Sequence, residues 1–306
     1  MAISAKDVME LRKQTDCGMM ECKKALTDAE GDFAKAIELL RERGLATAAK
    51  KAGRVAAEGM VYADYCAECK VGVVIEVNAE TDFVAKNDKF VEFVKEVSKV
   101  IMQQNPADVE ALMGCKMGEG TVDDALKQLI LVIKENIKVR RFVRYEGPCA
   151  AYVHGGGTHA VLVNFETSDE IAAKPEFAAY GKDIAMQIAA ANPSYVDEAN
   201  VPAEVVAKEK EIMLAQMAGD PKTANKPEAV KAKMVEGKIK KFFKENCLVE
   251  QEFVKDGDLT VGQYTAKVAK ELGGDIKIVK FARFQKGEGL EKRADDFASE
   301  VASMVK

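Results

Sequence analysis

The cysteines and histidines carry the best-defined chemistry in this sequence, and they are few. Cys66 and Cys69 form a C-x-x-C pair, and the two histidines are His154 and His159. A structural zinc site needs a second cysteine pair or two histidines at ligand spacing, and these histidines could join the pair only through the fold. The simpler interpretation is a hairpin loop that carries two thiols. The seven cysteines are scattered and odd in number, which favours reduced thiols over a disulfide framework.

The sequence contains none of the short motifs that mark common enzyme sites. There is no phosphate-binding glycine loop, no dinucleotide-binding fingerprint, no G-x-S-x-G and no H-E-x-x-H. With two histidines the usual general base is scarce, and a cysteine nucleophile would have to borrow one of them from a distance. We therefore predict that the chain is not an enzyme, uses no cofactor or metal, and acts by gripping another protein.

The segment Thr81-Asp82-Phe83-Val84 is an unusual turn between a predicted apolar strand and a predicted amphipathic helix. A large aromatic beside a carboxylate is uncommon there, because turns favour Gly, Asn, Asp, Pro and Ser. In one interpretation Phe83 packs beneath the turn while Asp82 or Thr81 caps the next helix. In the other, the turn is a surface that touches a partner.

The composition indicates an ordinary globular protein of two to four modules. The chain has 306 residues, of which 48% are hydrophobic and 31% charged. Its net charge is -5, with both signs mixed along the sequence, which argues against a generic nucleic-acid binder. No stretch reaches the roughly 18–20 apolar residues that cross a bilayer. Residues 1–7 do not resemble a secretory signal, so the expected location is the cytoplasm.

The first fifty-odd residues predict a module of three helices. Ser4 and Asp7 resemble a capping box ahead of the first helix, residues 15–18 break the chain, and Gly31-Asp32 separates the second helix from the third. We expect Gly44 to end the third helix, with residues 46–52 as a basic connector. So small a bundle has a thin core, so Met19 and Met20 belong either to that core or to a partner surface.

A pattern of hairpin, apolar strand, polar turn and helix occurs twice. Four landmarks recur 86 to 88 residues apart, and each copy ends at Asn-Pro. Each repeat therefore predicts helices on one face of a small antiparallel sheet, and so an α+β fold. The paired landmarks are Glu58-Gly59 with Glu146-Gly147, Val77-Asn78 with Val163-Asn164, Phe90 with Phe177, and Asn105-Pro106 with Asn192-Pro193.

The remaining elements complete the predicted domain plan. We expect a helix over 122–136, two helices over 205–217 and 227–243 that form a projecting hairpin, strands over 248–254 and 276–284, and a last helix over 290–305. The predicted divisions are a helical module at 1–54, the first repeat at 55–145, the second at 146–199 and 245–285, the hairpin at 200–244, and a C-terminal helical module at 286–306.

Several segments together resemble one known family. The strongest is residues 78–86, Asn-Ala-Glu-Thr-Asp-Phe-Val-Ala-Lys, which resembles the signature of translation elongation factor Ts. The likeness covers essentially the whole chain in order, whereas the Cys66–Cys69 loop is outside that signature. Other segments similar to the family are residues 11–15, 18–26, 48–53, 205–209, 233–237 and 261–263.

This resemblance implies a fold, a partner and a set of contact residues. The family has a ubiquitin-associated-like helical module, two related core subdomains, a protruding helical hairpin and a C-terminal helical module. Its members exchange guanine nucleotide on elongation factor Tu, in GDP-bound and nucleotide-free forms. Thr81, Asp82, Phe83 and Val84 would then disturb the Mg²⁺ site of the partner, with Met19, Met20 and His154 as secondary contacts. The resemblance implies neither a membrane nor a direct nucleic-acid partner, and a homodimer is a further candidate assembly.

Two other functions stay open from the residues alone. A ubiquitin-like-binding adaptor would use the N-terminal module without exchange activity, and the turn at Thr81–Val84 argues against it. An RNA-binding, ribosome-associated protein would depend on Lys50, Lys51 and Arg54, a short patch more typical of a solvated connector.

Overall fold

Three helices form the N-terminal part of the computed structural model, which describes residues 3–15 and 17–291. They are α1 (Ala5–Thr15), α2 (Met19–Asp28) and α3 (Phe33–Lys51). The predicted capping box is confirmed, because the Asp7 amide donates to Ser4 Oγ and the Ser4 amide donates to Asp7 Oδ2. Asp32 caps α3 by accepting the Lys35 amide. The small core of this module holds Leu11, Cys22, Ala25, Leu26, Ala36 and Leu40.

Helix α3 does not end at Gly44, so the predicted connector over residues 46–52 is wrong. The helix continues through that segment to Lys51. Gly44 is buried where α3 crosses a later helix, and a Cβ on it would lie 3.3 Å from the carbonyl oxygen of Lys127. The glycine therefore serves close helix–helix packing and not a helix end, two uses that sequence alone does not separate.

The first sheet is antiparallel, with strand order β1–β2–β5. Its central strand β2 is buried along its full length, which explains the continuous β-branched run in that segment. Helix α4 carries Phe90, Phe93, Val94, Val97 and Ile101 onto the sheet as its periodicity predicts. The elements of this part are β1 (Glu58–Cys66), β2 (Val71–Ala79), α4 (Asp88–Gln104), α5 (Val109–Met113), β3 (Lys116–Met117), β4 (Gly120–Thr121), α6 (Val122–Ile133) and β5 (Lys138–Glu146).

The second sheet is also antiparallel, with order β10–β7–β6, and its helices cover one face. The segment predicted as a strand over 248–254 is mostly not a strand. A 3₁₀ turn spans Leu248–Glu250, in which the Glu250 and Gln251 amides donate to the carbonyls of Cys247 and Leu248. The Leu248 and Val249 amides donate to the carbonyls of Tyr195 and Val196, so they pair with that segment and not within a sheet. The elements are β6 (Cys149–His154), β7 (His159–Thr167), α7 (Asp169–Ala172), α8 (Pro175–Ala191), then β8 (Glu252–Phe253), β9 (Asp256–Thr260), α12 (Val261–Leu272) and β10 (Ile276–Gln285).

The repeated landmarks of the sequence share detailed geometry. Asn78 Nδ2 donates to the Glu58 carbonyl at 3.1 Å, and Asn164 Nδ2 donates to the Glu146 carbonyl at 2.9 Å. Gly59 and Gly147 both have positive φ, +105° and +93°. Asn105 and Asn192 end α4 and α8 in the left-handed conformation with φ of 48° and 47°. The overall architecture is thus helices packed on small antiparallel sheets, an α+β fold.

Between α8 and β8 the chain forms a helical hairpin. Helices α9 (Ala203–Gly219) and α11 (Glu228–Asn246) pack together, with α10 (Pro221–Ala224) at the tip. Its small apolar core holds Met217, Val235 and Ile239. Within the described residues, no helix is both long and apolar enough to cross a membrane. The helix predicted over residues 290–305 lies outside the described residues, apart from Leu290 and Glu291.

Candidate functional site

Phe83 projects from the turn between β2 and α4. Its side chain is 78% exposed, the highest value among the large apolar side chains that the structure describes. The interpretation in which Phe83 packs beneath the turn is therefore wrong. Val84 takes that place, since it is 5% exposed and packs in the core beside Phe90. The cap of α4 is neither Asp82 nor Thr81 but Asn87, whose Oδ1 accepts the Lys89 amide.

A carboxylate from a distant part of the chain holds the turn from below. Glu135 Oε2 accepts the amides of Glu80 and Thr81 at 3.1 and 3.0 Å. Its other oxygen, Oε1, accepts the Thr81 hydroxyl at 2.7 Å. Three hydrogen bonds to one charged group fix the backbone just before Asp82 and Phe83.

A carboxylate of the turn, that of Glu80, also binds the loop that carries Glu135. Glu80 Oε1 accepts the Asn136 amide at 2.6 Å, and Glu80 pairs with Arg54 at 3.4 Å. Asn136 is buried, and its Nδ2 donates to the Arg54 carbonyl at 2.7 Å. The carboxylates of Glu80 and Glu135 therefore connect three segments: the turn, the loop at residues 135–136, and the segment that follows α3.

The sequence interpretation missed Glu80, Glu135 and Asn136 as positioning residues. It placed Glu135 and Asn136 inside a helix over 122–136, whereas α6 ends at Ile133. Lys134 ends that helix in the left-handed conformation, φ +64°. The chain changes direction there, so Glu135 and Asn136 lie beside the turn and not on the helix. No spacing rule connects positions 54 to 56 residues apart, so the sequence held no usable signal.

Met19 and Met20 lie at the start of α2, and both are exposed. Met20 is 76% exposed, which is second only to Phe83 among the described large apolar side chains. The interpretation that assigned both methionines to the core is therefore wrong. The helical module contacts the loop that carries Glu135, because Lys51 Nζ at the end of α3 donates to the carbonyl of the adjacent Lys134 at 2.5 Å.

His154 lies apart from these residues, at the tip of the hairpin between β6 and β7. It is exposed, and its Nδ1 is 3.0 Å from the hydroxyl of Tyr152. Its backbone carbonyl accepts the amides of Gly157 and Thr158 and so closes the hairpin. The neighbouring His159 is partly buried, and burial, followed by the nearby Arg283, lowers the pKa of its imidazole. The hairpin reaches the first sheet through the Val61 amide, which donates to the Gly157 carbonyl at 2.9 Å.

The exposed part of the turn presents two kinds of group to solvent. The turn offers an aromatic side chain and a carboxylate on a fixed backbone, and its hydrogen bonds to other described residues involve no histidine or cysteine. Within the residues that the structure describes, no group of three or more His, Cys, Asp or Glu side chains is arranged to hold a metal.

Comparisons with known proteins agree on one family. A family model described as Elongation factor TS matches residues 80–288. The chain is 48% identical over 306 residues to a protein named Elongation factor Ts from Clostridium perfringens strain SM101, with 99% of each chain covered. It is 49% identical over 304 residues to the Elongation factor Ts of Symbiobacterium thermophilum, covering 98% of this chain and 97% of that one. The Syntrophotalea carbinolica protein of the same name is 48% identical over 314 residues, with both chains fully covered.

Proposed function

The chain belongs to the elongation factor Ts family, and we propose that it promotes guanine-nucleotide exchange on elongation factor Tu during protein synthesis. One observation carries the mechanism: the most exposed large apolar side chain described, Phe83, stands on a turn clamped by Glu135. An exposed aromatic normally costs free energy in water, whereas its burial against a partner recovers about 1.5–3 kcal/mol. Family membership and this geometry support the same partner.

The proposed target of the turn is the Mg²⁺-binding side of the GTPase. A GTPase holds GDP through phosphate contacts and through the Mg²⁺ that bridges them. In this proposal Phe83 enters the partner and Asp82 accompanies it as an anion near the metal, so that the coordination is disturbed and GDP leaves. Thr81 and Val84 hold the two ends of the turn. Because Glu135 already orders the backbone, little conformational entropy is lost on docking.

Binding and exchange are linked by thermodynamic reciprocity. A factor that weakens nucleotide binding is itself weakened by nucleotide to the same degree. The protein should therefore bind nucleotide-free elongation factor Tu more tightly than the GDP-bound form. It changes no covalent bond of its own and, in this proposal, works without a cofactor, in the cytoplasm.

Met19, Met20 and His154 are the proposed secondary contacts. The exposure of Met20 on α2 supports a second apolar contact, for which an unbranched thioether is well suited because it adapts to the partner surface. His154 stands at a hairpin tip on the other sheet, so it would touch a separate part of the partner. A homodimer is proposed only as an additional assembly.

The test is the rate at which fluorescent GDP leaves a bacterial elongation factor Tu in the presence of Mg²⁺. The unsubstituted chain should accelerate release, and Phe83→Ala should lose roughly 10- to 100-fold of that acceleration, which corresponds to about 1.5–3 kcal/mol of contact. When EDTA removes Mg²⁺, the two proteins should give similar rates. The control is Val254→Ala, an exposed apolar residue in the turn between β8 and β9, which should behave as the unsubstituted chain.

The outcomes separate the function from the mechanism. Acceleration that survives Phe83→Ala would keep the exchange function and contradict the proposed role of the turn. Absence of acceleration by the folded, unsubstituted chain would contradict the exchange function itself.

A further inference from the structure

The turn that joins β1 to β2 carries two thiols that the proposed exchange function does not use. Cys66 is the last residue of β1 and is half-buried, whereas Cys69 is exposed in the turn. Lys70 reverses the chain in the left-handed conformation, φ +51°, and β2 begins at Val71. Both sulfur atoms therefore belong to one tight turn that is open to solvent.

Hydrogen bonds inside the turn make the two thiols unequal. The Cys69 amide donates to Cys66 Sγ over 3.2 Å, and the Cys69 thiol donates to the Cys66 carbonyl over 3.8 Å. A donor aimed at sulfur favours the thiolate, which is the nucleophilic form. The Cys69 thiol and then the Cys69 amide lower the pKa of Cys66, whereas desolvation raises the pKa of Cys69. Cys66 thus has the features of an attacking thiol and Cys69 those of its partner.

The other cysteines lie in different surroundings. Cys17, Cys22, Cys149 and Cys247 are buried. Burial raises the pKa of Cys149 and of Cys247 to about 11 and shifts that of Cys22 upward. Cys115 is half-exposed, and its thiol donates to the Ala111 carbonyl at 3.6 Å. Reaction with an external oxidant should therefore concentrate at the turn.

We infer that Cys66 and Cys69 form a reversible dithiol–disulfide site at the β1–β2 turn, oxidised by small-molecule disulfides. The Cys66 thiolate attacks one sulfur of the oxidant, forms a mixed disulfide, and expels the other sulfur as a thiolate that takes a proton from solvent. Cys69 then gives its proton to solvent and attacks Cys66 Sγ, which releases the second oxidant sulfur as a thiolate. Two protein thiols are oxidised, one external disulfide is reduced to two thiols, and the reverse exchange restores the dithiol.

The observations favour this chemistry over metal binding. A closed zinc site takes further ligands beyond two thiolates, and the described residues arrange no third His, Cys, Asp or Glu with this pair. Zinc binding remains a distinct outcome of the test.

The experiment uses the full reduced chain and oxidised glutathione as the probe, without oxygen. After acid quenching, free thiols are blocked under denaturing conditions and the peptides are weighed by mass spectrometry. We expect the peptide with Cys66 and Cys69 to lose two hydrogen atoms and to take no blocking group, while the four buried cysteines are blocked as free thiols. Dithiothreitol should restore both thiols in the turn.

Two variants test the order of the steps. Cys69→Ala should stop the reaction at a stable mixed disulfide that carries one glutathione on Cys66. Cys66→Ala should react at Cys69 more slowly. The internal control is Cys115, which should be modified roughly three- to tenfold more slowly than Cys66, because thiolate fraction and nucleophilicity partly offset each other.

Three results would overturn the inference. In the first, both thiols of the turn stay reduced under conditions that modify Cys115. In the second, each carries its own glutathione and no internal disulfide follows. In the third, zinc chloride alone loads the reduced chain with one metal that either variant abolishes and that blocks oxidation, which would make the turn a metal site.

Discussion

Neighbouring residues in the turn after β2 have opposite environments, and this contrast gives the turn its shape. Val84 is buried in the core of the first sheet, whereas Phe83 next to it is 78% exposed. The backbone at Phe83 is fixed on both sides. The Lys86 amide donates to the Phe83 carbonyl, and Glu135 accepts the Thr81 amide before it. A hydrophobic side chain is thus kept in water by the geometry of its neighbours, which is the arrangement expected of a contact residue.

The Thr81 hydroxyl should matter for exchange through its bond to Glu135. Thr81→Val keeps the shape and removes the donor, so Glu135 Oε1 loses that bond and the turn loosens. We expect a loss of about 1 kcal/mol in unfolding free energy and a several-fold slower GDP release. Thr81→Ser, which keeps the hydroxyl, is the matched control. Equal exchange rates for the valine and serine variants would contradict a positioning role for this bond.

Cys149 should make the protein less stable at alkaline pH. Its folded-state pKa is raised to about 11 by burial, above the value of 9.0 for an unburied thiol. Since the unfolded state loses its proton first, the stability is fully present below pH 9 and falls as pH rises toward 11. The loss from this group is at most about 2–3 kcal/mol. Urea unfolding from pH 8 to 11 should show a shallower decline for Cys149→Ala, and parallel declines would contradict the assignment.

At the scale of elements, the repeated units share the same helix ends and the same asparagine hydrogen bonds from a central strand. Asn105 and Asn192 close α4 and α8 in nearly identical left-handed conformations, and their amides donate to Ile101 and Ile188. Asn78 and Asn164, each on the central strand of its sheet, donate to the carbonyls of Glu58 and Glu146. Of the recurring asparagines, Asn105 and Asn192 therefore end helices, whereas Asn78 and Asn164 join a central strand to another backbone segment.

The two helix ends should respond alike to substitution. Replacing Asn105 or Asn192 with Ala places a residue with a Cβ and no compensating side chain at positive φ, at a cost of about 1 kcal/mol in each repeat. Replacement with Gly should be close to neutral. Chemical unfolding of the four single variants measures both effects, and a glycine variant as unstable as the alanine variant would show that the asparagine side chain has another role.

Across the whole molecule, a buried charge joins the first sheet to the chain that follows β10. Glu76 on β2 has no exposed surface, and its carboxylate pairs with Arg140 at 3.1 Å and Arg141 at 2.6 Å. It also accepts the Gly287 amide at 2.8 Å. Arg140 and Arg141 contact Glu288 in turn, so residues 286–289 are fixed on the first sheet although they follow the last strand of the second.

Glu76→Gln should weaken this junction. The substitution removes the counter-charge of Arg140 and leaves Arg141 paired with Glu288 alone. Because both guanidinium groups reach solvent, we expect a loss of about 2–3 kcal/mol, below the roughly 3–5 kcal/mol for breaking a fully buried pair. Hydrogen exchange at the Gly287 amide should accelerate as its acceptor weakens. Glu288→Gln, at the exposed end of the same cluster, should cost less than about 1 kcal/mol. Similar losses for the two variants would contradict the special role of Glu76.

Features that depend on neighbours along the chain could be predicted from the residues alone. Helical periodicity predicted α4, the Ser4 and Asp7 pair predicted the cap of α1, and the β-branched run predicted β2, because these signals arise within one or two turns of backbone. The segment around Phe83 also identified the family, which the comparisons confirm. The helix end predicted at Gly44 was wrong, because a glycine that breaks a helix and one that admits a neighbouring helix look identical in sequence.

Long-range packing determines which side chains remain in water and which distant groups hold them there. Whether Phe83 or Val84 fills the core depends on space beneath the turn, which α4 and β1 create together. The clamp by Glu135 requires α6 to stop at Ile133, and the burial of Glu76 requires residues 286–289 to return to the first sheet. These contacts join residues dozens to hundreds of positions apart, where no local propensity acts and packing alone selects the partner.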